Sequence, residues 1–244
     1  MYPVLFRCPI FTVYTYGVFA ALAFFVSSWL VSLEAKKRGF DDNIIYNLCV
    51  LLLVSGIISA RIFYVVLSWD YFKADPLEII RLQHGGLVWF GGLIGAVISS
   101  ALFLKINRLP VMQMIDLFAP YVALGQAIGR IGCFFNGCCH GKEGSVGIFF
   151  PSQGRILFPS QLIDSASLLF IFVILKYLRP RLRAGMVFVS YLILASMQRF
   201  FMEFFRGDER PFYWGLSIYQ WISILIFAAG VITYIILSWK KKSS

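Results

Sequence analysis

Residues 111–141 read VMQMIDLFAPYVALGQAIGRIGCFFNGCCHG, a run whose first part, 111–131, carries only Asp116 and Arg130 as charges. A helix that crosses a bilayer needs about 20 predominantly apolar residues, and this run supplies them. A charge placed there costs about 2.5–3.5 kcal/mol on insertion scales, so Arg130 at its end requires an anionic partner in the protein or in a ligand. Gly129 and Gly132 flank Arg130 and remove side-chain bulk, which lets backbone or ligand approach it.

The same apolar pattern recurs outward at 11–33, 43–67, 86–106, 161–178, 185–205 and 216–238. The 244 residues are 59% hydrophobic and 14% charged, with mean hydropathy +0.79, which excludes a soluble domain with a wetted surface. The chain therefore reads as an all-α polytopic membrane protein with about seven transmembrane helices, in one integral membrane domain over 1–244. Its net charge of +10 sets orientation and does not indicate nucleic acid. Lys36, Lys37 and Arg38; Lys105 and Arg108; Lys176, Arg179, Arg181 and Arg183; and Lys240, Lys241 and Lys242 fall in alternate connections. By the positive-inside rule these face the cytoplasm, putting the N-terminus outside and the C-terminus cytoplasmic. Only Arg7 precedes the first apolar run and no cleavage site follows, so that helix is expected to be retained.

Between the spans, 68–84 mix aromatic, charged and apolar residues suited to the outer interface or to a plain connection. The glycines of 85–96 offer a face for close packing. The longest connection, about 132–160, carries six glycines and two prolines and is expected to be a loop of lid length following Arg130. In 198–206, offsets of four and three residues place Arg199, Glu203 and Arg206 on one helix side.

Arg130 and Arg199 are the leading functional candidates, with structural ion pairs to Asp164 and Glu203 as the competing reading. Asp116 is a poor partner for Arg130, since the intervening helix is about 21 Å long at 1.5 Å per residue. Arg61 reads as structural or snorkelling. Cys133, Cys138, Cys139 and His140 contain the ligand types for zinc or a disulfide. Simple packing is favoured, because adjacent cysteines seldom bridge and zinc pairs usually carry a two-to-four-residue gap with a second pair elsewhere. No metal and no cofactor is expected. His84 and His140, the only histidines, are the candidate general bases.

Taken together, Tyr16-Gly17, Gly91-Gly92-Leu93-Ile94-Gly95, Gly129-Arg130-Ile131-Gly132 with Asn136, Pro159-Ser160-Gln161-Leu162, Arg199 with Glu203 and Arg206, and Leu216-Ser217 with Gln220 resemble the prolipoprotein diacylglyceryl transferase family. The resemblance implies a multi-pass enzyme of the bacterial inner membrane that moves the diacylglyceryl group of phosphatidylglycerol onto the lipobox cysteine of a lipoprotein signal peptide. It further implies that Arg130 binds the head group, that Arg199 contacts the phosphate or leaving group, and that Tyr16, Asn136 and Gln161 line the cavity. Glu203 would orient Arg199, and Arg206 would hold the end of the same helix. Two departures stand out: Phe90 precedes Gly91 where the family often has histidine, and Cys133 and Cys138 interrupt the commoner signature. Two other readings use the same residues: a membrane thiol or metal protein built on Cys133, Cys138, Cys139 and His140, and a transporter of an anionic lipid.

Overall fold

The computed structural model describes residues 2–8, 12–81, 85–208 and 210–239. Seven of its helices are long and apolar enough to cross a membrane: α1 (Thr15–Lys37), α2 (Asp42–Leu67), α4 (Trp89–Ile106), α5 (Val111–Asn136), α6 (Ser160–Leu178), α7 (Met186–Met202, extended as a span to Phe205) and α8 (Ile218–Trp239), with a short α3 (Trp69–Ala74) between. All seven predicted spans are present. The small sheets are two-stranded and antiparallel: β1 (Val4–Arg7) with β2 (Thr12–Tyr14), β3 (Glu143–Phe150) with β4 (Arg155–Leu157), and β5 (Phe212–Tyr213) with β6 (Leu216–Ser217). The chain forms two compact units, residues 1–31 with 115–244, and residues 32–114.

In the first unit α5 packs through Ala119, Ala123 and Ala127, a stripe at i, i+4, against Leu168, Ile171 and Leu175 of α6 and Val187 and Tyr191 of α7. Without water to drive association, small side chains let helix backbones approach and gain dispersion contacts. Asp116 accepts from the backbone N–H groups of Gly185 (2.7 Å) and Phe188 (2.8 Å), which satisfies orphan donors at the start of α7. Its role is that of a cap far along α5 from Arg130.

In the second unit α2 and α4 run antiparallel. A Cβ on Gly91 would stand 2.5 Å from the Phe63 side chain, one on Gly92 3.1 Å from the Gly56 carbonyl, and one on Gly95 would collide with Ser59; Ser55 and Ser99 hydroxyls bond at 2.8 Å. The paired glycines thus serve helix packing. Gly95→Leu is expected to cost about 1–3 kcal/mol by overpacking, read as a lowered thermal midpoint. Gly17→Ala, where nothing lies within 4 Å of a new Cβ, should leave it unchanged.

Arg61, buried, donates to the carbonyls of Glu78, Ile79 (2.9 Å), Gly85 (2.5 Å), Gly86 (3.1 Å) and Arg81 (3.3 Å). The segment after α2 is therefore a fixed structure, α3 plus a 3-10 turn at Pro76–Ile79, and Arg61 is its structural clamp.

The predicted loop at 132–160 is shorter than expected. Helix α5 continues to Asn136, and β3, β4 and the turn between them, residues 143–157, occupy most of the remainder. Gly137, with φ +75°, ends the helix in the left-handed conformation that glycine adopts without penalty.

Candidate active site

The end of α5, the first turns of α6 and the end of α7 meet in a network of charge. Arg130 Nε stands 3.3 Å from Asp164 Oδ2. Asp164, 1% exposed, uses its other oxygen to accept from Gln198 Nε2 at 2.6 Å, so one carboxylate ties α5, α6 and α7. Arg199 pairs with Glu203 at 2.9 Å. Glu203 also accepts from Arg210 Nη1 at 3.1 and 3.2 Å and from the Ser217 hydroxyl at 2.9 Å. Gln220 Oε1 in turn accepts from the Ser217 backbone N–H at 2.9 Å. The Tyr219 ring lies 5.3 Å from the Arg199 guanidinium carbon and 4.4 Å from that of Arg210.

Both expected ion pairs exist, yet neither consumes its arginine. The side chains of Arg130 and Arg199 are 27% and 25% exposed, against 4% and 11% for Arg206 and Arg210. Arg199 also keeps Nη1 buried without a hydrogen-bond partner. A buried guanidinium N–H left unpaired carries a desolvation cost that an incoming acceptor removes.

The polar stripe predicted along α7 breaks before Arg206. The helix ends at Met202, a tighter 3-10 turn covers Glu203–Phe205, and Arg206 is extended (φ −71°, ψ 140°). Three residues per turn instead of 3.6 rotate Arg206 off the face. Arg206 grips Asp208 through Nε and Nη2, each at 2.9 Å, and its backbone bridges Gly141. Arg210 takes the place beside Glu203. Sequence reading did not assign Arg210 to the site and missed Asp208, Gln198 and Tyr219; the sole local signal joining Arg210 and Asp208 to it is the charge run 206–210, which has no periodicity.

The remaining predicted residues gather near Arg130 and the end of α5. Tyr16, in the first turn of α1, borders Gly132, whose added Cβ would lie 3.5 Å from the Tyr16 ring, and its hydroxyl is within electrostatic reach of Arg130. Asn136 closes α5 and is half-buried. Gln161, fully buried, donates Nε2 to the Cys138 carbonyl at 2.7 Å and keeps Oε1 unpartnered. Phe90 is exposed and lies in the other unit. His84 lies outside the described residues. His140 meets Phe150 edge-on at 5.8 Å and borders a cleft of about 360 Å³ with Glu143 and Arg155.

The Cys133, Cys138 and Cys139 sulfurs all lie within 4.8 Å of one another, without His140 among them, and none of the five cysteines is in a disulfide. Hydrogen bonds from Cys133 and Cys138, joined by the Arg206 guanidinium, hold the Cys139 thiol well below its ordinary range. Burial works against ionisation of Asp208, but the Arg206 and Arg210 guanidiniums outweigh it and hold the carboxyl at about 2. A carboxylate whose folded pKa is depressed stabilises the fold above its unfolded pKa of about 3.9 and loses that contribution as pH falls towards about 2. Between pH 4 and 2 the 206–210 turn is expected to loosen, seen as faster hydrogen exchange there, and Asp208→Asn should flatten that dependence.

The sequence profile of the prolipoprotein diacylglyceryl transferase family matches residues 3–236. The chain belongs to that family. It is similar to phosphatidylglycerol–prolipoprotein diacylglyceryl transferase 2 of Clostridium perfringens, 34% identical over 91% of this chain and 90% of the relative. The phosphatidylglycerol–prolipoprotein diacylglyceryl transferase of Clostridium tetani is 34% identical over 99% of this chain and all of its own length, and that of Bacillus velezensis 32% identical over 96% and 91%. As a prolipoprotein diacylglyceryl transferase family member, the chain is a multi-pass membrane protein.

Proposed function

We propose that the chain transfers the diacylglyceryl group of phosphatidylglycerol to the cysteine thiol of a prolipoprotein lipobox, with Arg130 and Arg199 holding the phosphate. The observation that carries the role of these two residues is that each is anchored by a carboxylate yet stays accessible, and that Arg199 keeps a buried Nη1 without a hydrogen-bond partner. Among its described residues four arginines (130, 199, 206 and 210) stand with three carboxylates (Asp164, Glu203 and Asp208), and the most accessible of the four are Arg130 and Arg199. Two anchored and accessible guanidiniums suit the negatively charged phosphate of a phosphodiester head group.

The reaction forms a carbon–sulfur bond at the terminal glyceryl carbon and breaks that carbon's bond to the phosphate oxygen. The thiol proton passes to water, and glycerol phosphate leaves with one more negative charge than the diester carried. Guanidiniums fixed by Asp164 and Glu203 present donors where that charge develops, which is the most effective placement for transition-state stabilisation. The free thiol, with a pKa of about 8.5, is mostly protonated near neutrality, and a positive site favours its thiolate. Tyr16, Asn136 and Gln161 line the polar end of the site; Glu203 orients Arg199, and Arg206 secures the turn after α7. The protein resides in the bacterial inner membrane with its N-terminus outside, and lipid tails and signal peptide enter from the bilayer.

Incubating the purified protein with phosphatidylglycerol and a lipobox peptide should yield a peptide heavier by one diacylglyceryl group, together with glycerol phosphate. Binding of phosphatidylglycerol with no adduct and no glycerol phosphate would instead mark a lipid transporter.

A further inference from the structure

The transfer chemistry makes no use of the three sulfurs at the end of α5. Cys133 lies in the last turn of that helix, Gly137 turns the chain, and Cys139 sits at φ +60°, a left-handed conformation that costs a residue with a Cβ about 1–2 kcal/mol. This path returns Cys138 and Cys139 to Cys133, so that all three Sγ atoms fall within 4.8 Å of one another, one buried and two half-buried.

We propose that Cys133, Cys138 and Cys139 form a three-sulfur binding site for a thiophilic d10 cation, copper(I) or zinc(II). With metal–sulfur bonds of about 2.3 Å, three ligand sulfurs stand about 3.8–4.0 Å apart, so closing from the observed spacing asks for less than about 1 Å of movement. Soft thiolate sets select these metals over oxygen-loving cations. The ligands bind as thiolates, and their protons pass to solvent. Arg206, which reaches Cys139 and keeps a buried Nη1 without a hydrogen-bond partner, offsets part of the negative charge. Three sulfurs alone complete a trigonal copper(I) site, whereas zinc(II) adds one water to reach four ligands.

The ligand loop is also tied to α6. Ser160 Oγ donates to the Cys139 carbonyl at 3.0 Å and Gln161 Nε2 to that of Cys138. Metal binding therefore braces this loop against the first turn of α6.

The test uses the full chain, purified in detergent under anaerobic conditions and titrated separately with copper(I) against a chromophoric copper(I) chelator and with zinc(II) against a zinc indicator. The expected result is one tightly held equivalent of one of the two, whose X-ray absorption shows three sulfur neighbours at about 2.3 Å; whichever metal withstands its competitor identifies the cation. Retention of that equivalent by Cys8→Ser/Cys49→Ser and its loss in Cys133→Ser/Cys138→Ser/Cys139→Ser would support the site. Wild-type protein that holds neither metal, or holds one through fewer than three sulfurs, overturns the proposal without recourse to any variant.

Discussion

Arg130→Ala is expected to lower the rate of diacylglyceryl transfer by about 10²–10³-fold, the usual effect of removing one fixed donor from a developing negative charge. The same change strips Asp164 of its counter-charge. Asp164 is 1% exposed, and breaking a buried pair from one side costs about 3–5 kcal/mol, moderated here by Gln198 on the other oxygen. Lost activity and lost stability must therefore be separated. Arg130→Ala combined with Asp164→Asn removes the stranded charge, so its thermal midpoint should recover towards wild type while transfer stays down. Arg130→Lys should also be impaired, because an ammonium cannot reproduce the guanidinium fork. Initial rates of thioether formation and unfolding in the same detergent decide the matter; a double variant with wild-type rate would show that Arg130 is purely structural.

Glu203→Ala should be the most damaging single change in the second half of the site. It deletes the acceptor of Arg199, Arg210 and the Ser217 hydroxyl together and leaves two adjacent guanidiniums without it, again a loss of about 3–5 kcal/mol. Glu203→Gln keeps the shape and an acceptor oxygen for Ser217. It should recover much of the stability but not the rate, since Arg199 is no longer held by charge. Removing a carboxylate makes the site more positive, so KM for phosphatidylglycerol should not rise while kcat falls. A raised KM with unchanged kcat would contradict a positioning role for Glu203.

The spans were legible because lipid imposes one constraint on every residue of a crossing helix, and hydropathy reports it directly. Arg130, Arg199 and Glu203 were legible for the converse reason: charge inside an apolar run is expensive and so stands out. Arg210 and Asp208 lie where the chain is already polar, and only the 3-10 turn at 203–205 brings Arg210 to Glu203 and sends Arg206 away. Helical periodicity extrapolated past Met202 misassigns both. The sulfur cluster was judged from spacing in the sequence, but proximity there depends on two left-handed residues, Gly137 and Cys139. Such a reversal carries no compositional signal when one of the two residues has a side chain.

The β3–β4 region is closed on itself by Gly141 N–H to the Phe158 carbonyl (2.8 Å) and Phe158 N–H to the Lys142 carbonyl (3.0 Å), and is joined to the turn after α7 through main-chain atoms by Lys142 N–H to the Phe205 carbonyl (3.0 Å) and Gly207 N–H to the His140 carbonyl (3.3 Å). A junction written in backbone is indifferent to most side chains it carries. Mutational tolerance across 142–157 should therefore be wide at its exposed positions, broken at the buried Phe150 and Leu157 and at Gly147, where a Cβ would stand 2.5 Å from the Leu157 carbonyl, and matched by intolerance at Gly141 and Gly207. Evolution can thus redraw this surface freely while the three glycines keep its fastening intact.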